Sequence, residues 1–497
     1  MTPDTGALRE VFLNLFAYIA CFILNNKCDK SAIDLIVEII ANSDIRNEFS
    51  DVQILNAIKN VYNVCETLQK DFPNFKTDIK PCIKDENQLI YSKIISKGEQ
   101  LLKNKQRYVN RKTNYFKDIL FFVLKSVISS YFILKDYKIK TDDVEFSILD
   151  TIIKLESRDV SFAELKKHTE KLAELNLNLY DEIYKCAVET FGVPKKTTVN
   201  TSTFEGKAIL MTGTSLHELK NLLDASKDKN IDIYTNGNLL VAHSFPLFKS
   251  YPNLKGHFAN STENTILDFA TFPGAVVLAQ WEYQNIGNLY QGKFFSTNKY
   301  IPNGICHTES DFSEAIENSL NSAGFVNSNK RQPITTGIDY KNLDKILDDI
   351  NEKLNSGELK KIVFIGLGTL LKEQKDYFDE FFRLIDDETY VISFSHISNI
   401  KNILNLNVAN NYPILLNVLR HIFKKLPPSD ERMYFFVLRC DPNSLSTVIN
   451  LKMSGVKNMF YWNCPPVTVN PSVIKVFRKI YNLSETSTAQ NDFKFTK

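Results

Sequence analysis

Between Lys207 and Gln280 the chain carries the pattern that most limits what it can fold into. Ala208-Ile209-Leu210-Met211 is an apolar run short enough for a buried strand, and a Thr-Gly-Thr-Ser turn follows it. Leu216, Leu219, Leu222 and Leu223 then recur at helical spacing, and Ile231-Asp232-Ile233-Tyr234 reads as the next strand. Strand, glycine turn, helix and strand open a parallel, doubly wound sheet. Its turn lies at the strand's carboxyl end, where such sheets take ligands.

Upstream the pattern is helical. Leu8, Val11, Phe12, Leu15, Phe16 and Ile19 form one apolar stripe. LREVFLNLFAYIACFIL from Leu8 lies over FKDILFFVLKSVISSYF from Phe116, with the charged pairs Arg9-Glu10 and Lys117-Asp118 matched. Each copy continues into a further helix, Ala32–Ala41 or Val144–Leu155, and Ser161 with Glu164 reads as a capping box for one more. These repeats predict two helical bundles, about 7–70 and 114–190, within a helical domain of residues 1–204. The segment between them is strongly basic over Lys93–Lys112 and reads as a solvated helix face. FGVPKKTTVN, Phe191–Asn200, is a linker.

Downstream, two α/β domains with parallel sheets are expected, over 205–335 and 336–497. The first places strands near Ile209, Ile233 and Val276, and a helix over Phe312–Ala323 capped by Ser310 or Asp311. The second alternates helix Leu343–Leu354, strand Ile362–Gly366, helix Lys372–Leu384 and strand Tyr390–Phe394. Helix Ile414–Lys425, strand Tyr434–Leu438, helix Ser446–Met453, strand Met459–Trp462 and a closing helix near Ser472–Ile480 follow.

Bulk properties exclude several classes. The 60 basic and 58 acidic residues nearly cancel, so no nucleic-acid surface is implied. Val11–Leu24 is interrupted by Asn14 and, at ~14 residues, is short for a bilayer, so it reads as a buried helix. With no basic leader ahead of it, a cytoplasmic location is expected. The eight cysteines include no Cys-x-x-Cys pair and read as scattered, reduced thiols. Gly366-Leu367-Gly368 follows a strand but lacks the third glycine of a dinucleotide fingerprint.

The phrases TG-x-SL-x-EL, DIYTNG, AHSFP, YPNLKGHF and FPGAVVL, in that order, resemble the core of the hybrid-cluster (prismane, hydroxylamine reductase) proteins, relatives of the nickel carbon monoxide dehydrogenases. The resemblance extends from about Ala7 to Leu483 and implies the same three-part architecture. It also implies an N-terminal four-cysteine cubane motif, of which Met1–Gly6 contains nothing, and a hybrid cluster held by His, Glu and cysteine sulfur. The implied ligand positions fall here on Thr214, Asn238, Glu282, Gly368, His396, Asp441 and either Val408 or His421, with Val408 preferred. A nearby family lysine falls on Asn443. No thiolate remains at any of them, so no iron–sulfur cofactor is expected.

Three functions stay open. The first is a cluster-free, non-catalytic homologue that binds a protein partner or acts as a scaffold. The second is a hydroxylamine-reductase-like oxidoreductase keeping a metal at Glu282, His396 and Asp441. The third is a small-ligand module without redox chemistry.

Overall fold

A computed structural model describes residues 3–25, 31–42, 49–258, 265–279, 292–298, 300–367, 374–395, 397, 401–408, 411–462 and 471–495. The helical part comprises α1 (Pro3–Leu24), α2 (Ser31–Asn42), α3 (Asp51–Asp71), α4 (Tyr91–Tyr108), α5 (Arg111–Asp136), α6 (Asp142–Glu156) and α7 (Phe162–Phe191). Both apolar stripes face inward: Val11, Leu15, Phe16 and Ile19 on α1 are buried, as are Phe116, Leu120, Val123 and Val127 on α5. Ser161 and Glu164 cap α7 reciprocally, as their spacing predicts.

The two copies are interleaved. Helix α1 packs on α3, α4 and α6, while α5 packs on α7, α6 and α2, so one core runs through both. The matched charged pairs meet, Arg9 reaching Asp118 at 2.6 Å. Helix α1 is longer than the apolar run Val11–Leu24 implied. Thr5–Leu24, 20 residues, is long and apolar enough to cross a membrane by composition, yet 72% of its most apolar window is buried inside the protein. The helices that bury it are α3, α4 and α6.

The first α/β part contains β1 (Thr197–Val199), β2 (Lys207–Thr212), α8 (Leu216–Ser226), β3 (Ile231–Thr235), β4 (Leu254–His257), α9 (Thr265–Thr271), β5 (Ala275–Leu278), β6 (Phe294–Ser296), β7 (Ile305–His307) and α10 (Ser313–Asn321). The second contains β8 (Ile334–Thr336), α11 (Tyr340–Ser356), β9 (Lys361–Gly366), α12 (Lys375–Arg383), β10 (Thr389–Ser393), β11 (Ile403–Asn405), α13 (Tyr412–Phe423), β12 (Met433–Val437), α14 (Pro442–Met453), β13 (Asn458–Tyr461), α15 (Pro471–Tyr481), β14 (Ser484–Glu485) and α16 (Ala489–Phe495).

Each part builds one six-stranded parallel sheet, in the orders β4-β3-β2-β5-β6-β7 and β11-β10-β9-β12-β13-β14. In both, the first strand is central and the chain winds outward to either side of it, the doubly wound order. An antiparallel ribbon of β1 and β8 ties the linker before one sheet to the linker before the other. One local expectation changes. Phe312 heads α10 in a left-handed conformation (φ 56°) with no side-chain cap of its own, while Asp311 Oδ1 accepts from Ser313 N at 3.2 Å. Trp462 packs at the far face of the last sheet, against Tyr377 and Phe378.

Helix α4 approaches α1 through Gly98, where an added Cβ would lie 2.1 Å from the Ala7 carbonyl oxygen. Gly98→Ala should therefore force the helices apart and lower stability by about 1–3 kcal/mol in urea denaturation. An unchanged midpoint would show that the two helices can separate at no cost.

Candidate functional site

In a doubly wound sheet the ligand crevice opens where neighbouring strands send their connections to opposite sides. Here those points lie beyond the carboxyl ends of β2 and β5 in one sheet and of β9 and β12 in the other. After β2 the chain turns at Gly213, whose φ is +126° and whose Cβ would sit 2.3 Å from the Ala279 oxygen; glycine is required twice over. Ser215 then caps α8, accepting from Glu218 N at 3.1 Å while donating to Asp136 Oδ2, at the end of α5, at 3.1 Å. After β12, Asp441 caps α14, accepting from the Ser444 amide at 2.9 Å, and Ser444 Oγ lies 3.0 Å from the Leu367 oxygen just beyond β9.

The turns converge on a cavity walled by α5, α7, the start of α8 and the start of α13. Thr214, His217, Tyr180, Tyr412 and Asn443 are among its lining residues, and its volume is about 40 Å³. At on the order of 10–15 Å³ per water, that is room for a few waters. Tyr180 and Tyr412 stack 6.0 Å apart and fill much of the space. Burial, with the Asp441 carboxylate nearby, pushes both phenols upward, so they remain neutral donors. His217 turns its edge to Tyr137 and Phe191, and burial lowers its pKa, so it acts as an uncharged wall.

Of the positions singled out from the sequence, Thr214 and Asn443 line this cavity. Asn443 Oδ1 accepts from Ser126 Oγ at 2.7 Å and from the Tyr180 hydroxyl at 2.9 Å. Asp441 stands two residues earlier, both its oxygens taken up by Ser444, from the amide and from the hydroxyl at 2.9 Å. Asn238 is partly buried in the 3-10 turn after β3 and does not line the cavity. Val408 is fully buried in the apolar core. His421 projects from α13 to Asp344 at 2.8 Å, facing α11. Glu282, Gly368 and His396 lie outside the described residues.

The donor set among the described positions does not fit an iron–sulfur cluster, which calls for several thiolates. Thr214, Asn238, Val408 and Asn443 are neutral, and the Asp441 carboxylate is engaged in capping. Among the described residues no three His, Cys, Asp or Glu side chains group to hold a metal. Cys21, Cys65, Cys82, Cys186 and Cys306 are free thiols. Cys440 corrects the reading of eight reduced thiols, because it is joined in a disulfide. His243 and His257 both face the Thr235 hydroxyl, at 2.8 and 2.9 Å. Burial pushes them down to about 4 and about 3, so they serve packing as neutral rings.

Sequence reasoning passed over the residues that complete the site: Ser126, Asn176, Tyr180, Ser215 and Tyr412. A signal existed, since Ser126 with Ser130, Asn176 with Tyr180, and Ser446 with Asn450 are polar pairs four apart within the apolar stripes of their helices. Asn443→Leu would strand the Ser126 and Tyr180 hydroxyls. It should destabilise the protein by about 1–3 kcal/mol, read as a lowered midpoint in urea. A neutral effect would mean that water replaces the amide without loss.

Comparison with known proteins agrees with this architecture. Residues 1–395 match the Prismane/CO dehydrogenase family. A hydroxylamine reductase of Gloeothece citriformis is 21% identical over 538 aligned positions, covering 99% of this chain and 95% of its own. One from Crocosphaera subtropica is 23% identical over 390, covering 74% and 71%. Among solved structures, carbon monoxide dehydrogenase IV from Carboxydothermus hydrogenoformans superposes with a TM-score of 0.51 at 12% identity, covering 99% of this chain and 86% of that one. The alpha subunits of an acetyl-CoA synthase/carbon monoxide dehydrogenase superpose with the same score at 10% identity, covering 96% and 79%. At these identities the structures speak for the fold alone, whereas the match over residues 1–395 goes further: the chain belongs to the Prismane/CO dehydrogenase family.

Proposed function

We propose that this chain is a cluster-free member of the family, a cytoplasmic protein that works by binding a partner and does not reduce hydroxylamine. The observation that carries the proposal is the state of Asp441 and Asn443. The one carboxylate among the described counterpart positions is committed to capping α14, and the neighbouring amide is committed to α5 and α7. The cavity beside them, at about 40 Å³ and lined by two stacked tyrosines, has the size of a few waters. Hydroxylamine reduction in the relatives needs electrons passed through clusters, and the thiolates that hold such clusters have no counterpart at these positions. The partner is a protein or a small ligand of unassigned chemistry.

The rival reading keeps a metal at Glu282, His396 and Asp441. Asp441→Ala separates the two. On the binding reading it costs about 1 kcal/mol as a lost helix cap, with iron and acid-labile sulfide absent before and after. Anaerobically purified protein with stoichiometric iron that falls in Asp441→Ala, together with turnover of hydroxylamine, would reverse the conclusion.

A further inference from the structure

The charged residues that head the two repeated helices enclose a second cavity, of about 670 Å³. That volume lies in the range of small-molecule sites, roughly 300–1,000 Å³. Its walls are the starts of α1 and α5 and the ends of α4 and α6. Arg9, Lys105, Arg111 and Lys117 line it together with Glu10 and Asp118.

The carboxylates are already spent. Arg9 binds Asp118 at 2.6 Å and Glu10 at 3.4 Å, and Lys105 binds Glu10 and, at 2.8 Å, Glu156. Two cations are left over. Lys117 is buried, its ammonium donating to the Leu155 carbonyl at 3.0 Å and to that of Ser157 at the end of α6. No carboxylate among the described residues pairs with it. Among the described residues Arg111 meets Tyr115, its hydroxyl at 2.8 Å and its ring face at 5.4 Å from the centroid, and no carboxylate. The Arg9 Nε–H is also buried without an acceptor. Burial, with Lys105 close by, draws Lys117 down to about 8. Glu156 and Glu10 act on Lys117 from a distance, but both are paired with Lys105, so an anion supplied from outside would give this buried cation a direct partner.

We propose that this cavity binds a small metabolite through a phosphate or pyrophosphate group, with Lys117, Arg111 and Arg9 as the donors. An ammonium has three protons and Lys117 commits two to carbonyls, leaving one for a phosphate oxygen. Arg111 keeps its outer nitrogens for a forked contact. The rest of the volume accommodates the body of the metabolite, since it exceeds what inorganic phosphate needs.

Calorimetric titration of the full chain with pyrophosphate at low ionic strength tests this, with citrate as a non-phosphate trianion. Pyrophosphate should bind saturably at one site, and Arg111→Gln should weaken it about tenfold. Lys117→Gln should weaken it at least as much. Because Lys117 also caps α6, Arg111→Gln, on an exposed side chain, decides alone wherever the Lys117 variant does not fold. Absence of saturable binding, equal affinity in Arg111→Gln and the parent chain, or tighter binding of citrate than of pyrophosphate would each overturn the proposal.

Discussion

The architecture depends on a buried polar seam between the helical part and the last sheet. Asn176 on α7 donates to Ser126 on α5 at 2.7 Å and to Ser446 on α14 at 3.2 Å, and Ser130 donates to Asn176 at 2.7 Å. Asn450 on α14 reaches the Ala173 carbonyl at 2.8 Å, one turn along α7 from Asn176. Asn443 closes the seam at its cavity end. Apolar faces alone would let α14 slide on α5 and α7, because apolar contact is non-directional. Hydrogen bonds at successive turns admit one register, since a slip would leave buried donors unpaired at about 1–3 kcal/mol each. The seam thereby sets how the carboxyl ends of β9 and β12 meet the helical part.

That seam also explains the small interdomain cavity. Tyr180, one turn beyond Asn176, is held by Ser126 and Asn443, and its ring then stacks on Tyr412 at the start of α13. Tyr412 contacts Ser444 at 2.7 Å, and Ser444 reaches Leu367 beyond β9. One chain of contacts thus joins α7, α13, α14 and β9. Opening the cavity to a larger guest would require moving a tyrosine that four elements position.

The sequence made the large elements plain and the small ones obscure, for a physical reason. Strands such as β2 and β9 are buried on both faces and read as continuous apolar runs, KAILMT and KIVFIG. Strands β6, β7 and β11 have three residues each, two of them ending in His or Asn, and take their conformation from the neighbour they pair with. Nothing in three residues encodes that. At the site, resemblance located Asn443 but not what holds it, because Ser126 and Asn443 are 317 positions apart. Polar pairs four apart on an apolar helix reveal a polar line; which other line it meets is a property of the assembled fold.

A cluster-free site, as proposed, must satisfy its polar groups in another way. A metal centre between domains supplies binding energy to the fold that encloses it, and removing it leaves ligands that must find other partners. Asp441 has found one in the first turn of its own helix, where the helix dipole favours a negative charge. Asn443 accepts from two hydroxyls on other helices. The first is a local hydrogen-bonded cap, the second a long-range tie between helices. Asp441 and Asn443 are thus satisfied within the fold, while the buried His217 Nε2 at the cavity wall keeps no hydrogen-bond partner, so the proposal of a structural joint rests on the first two residues.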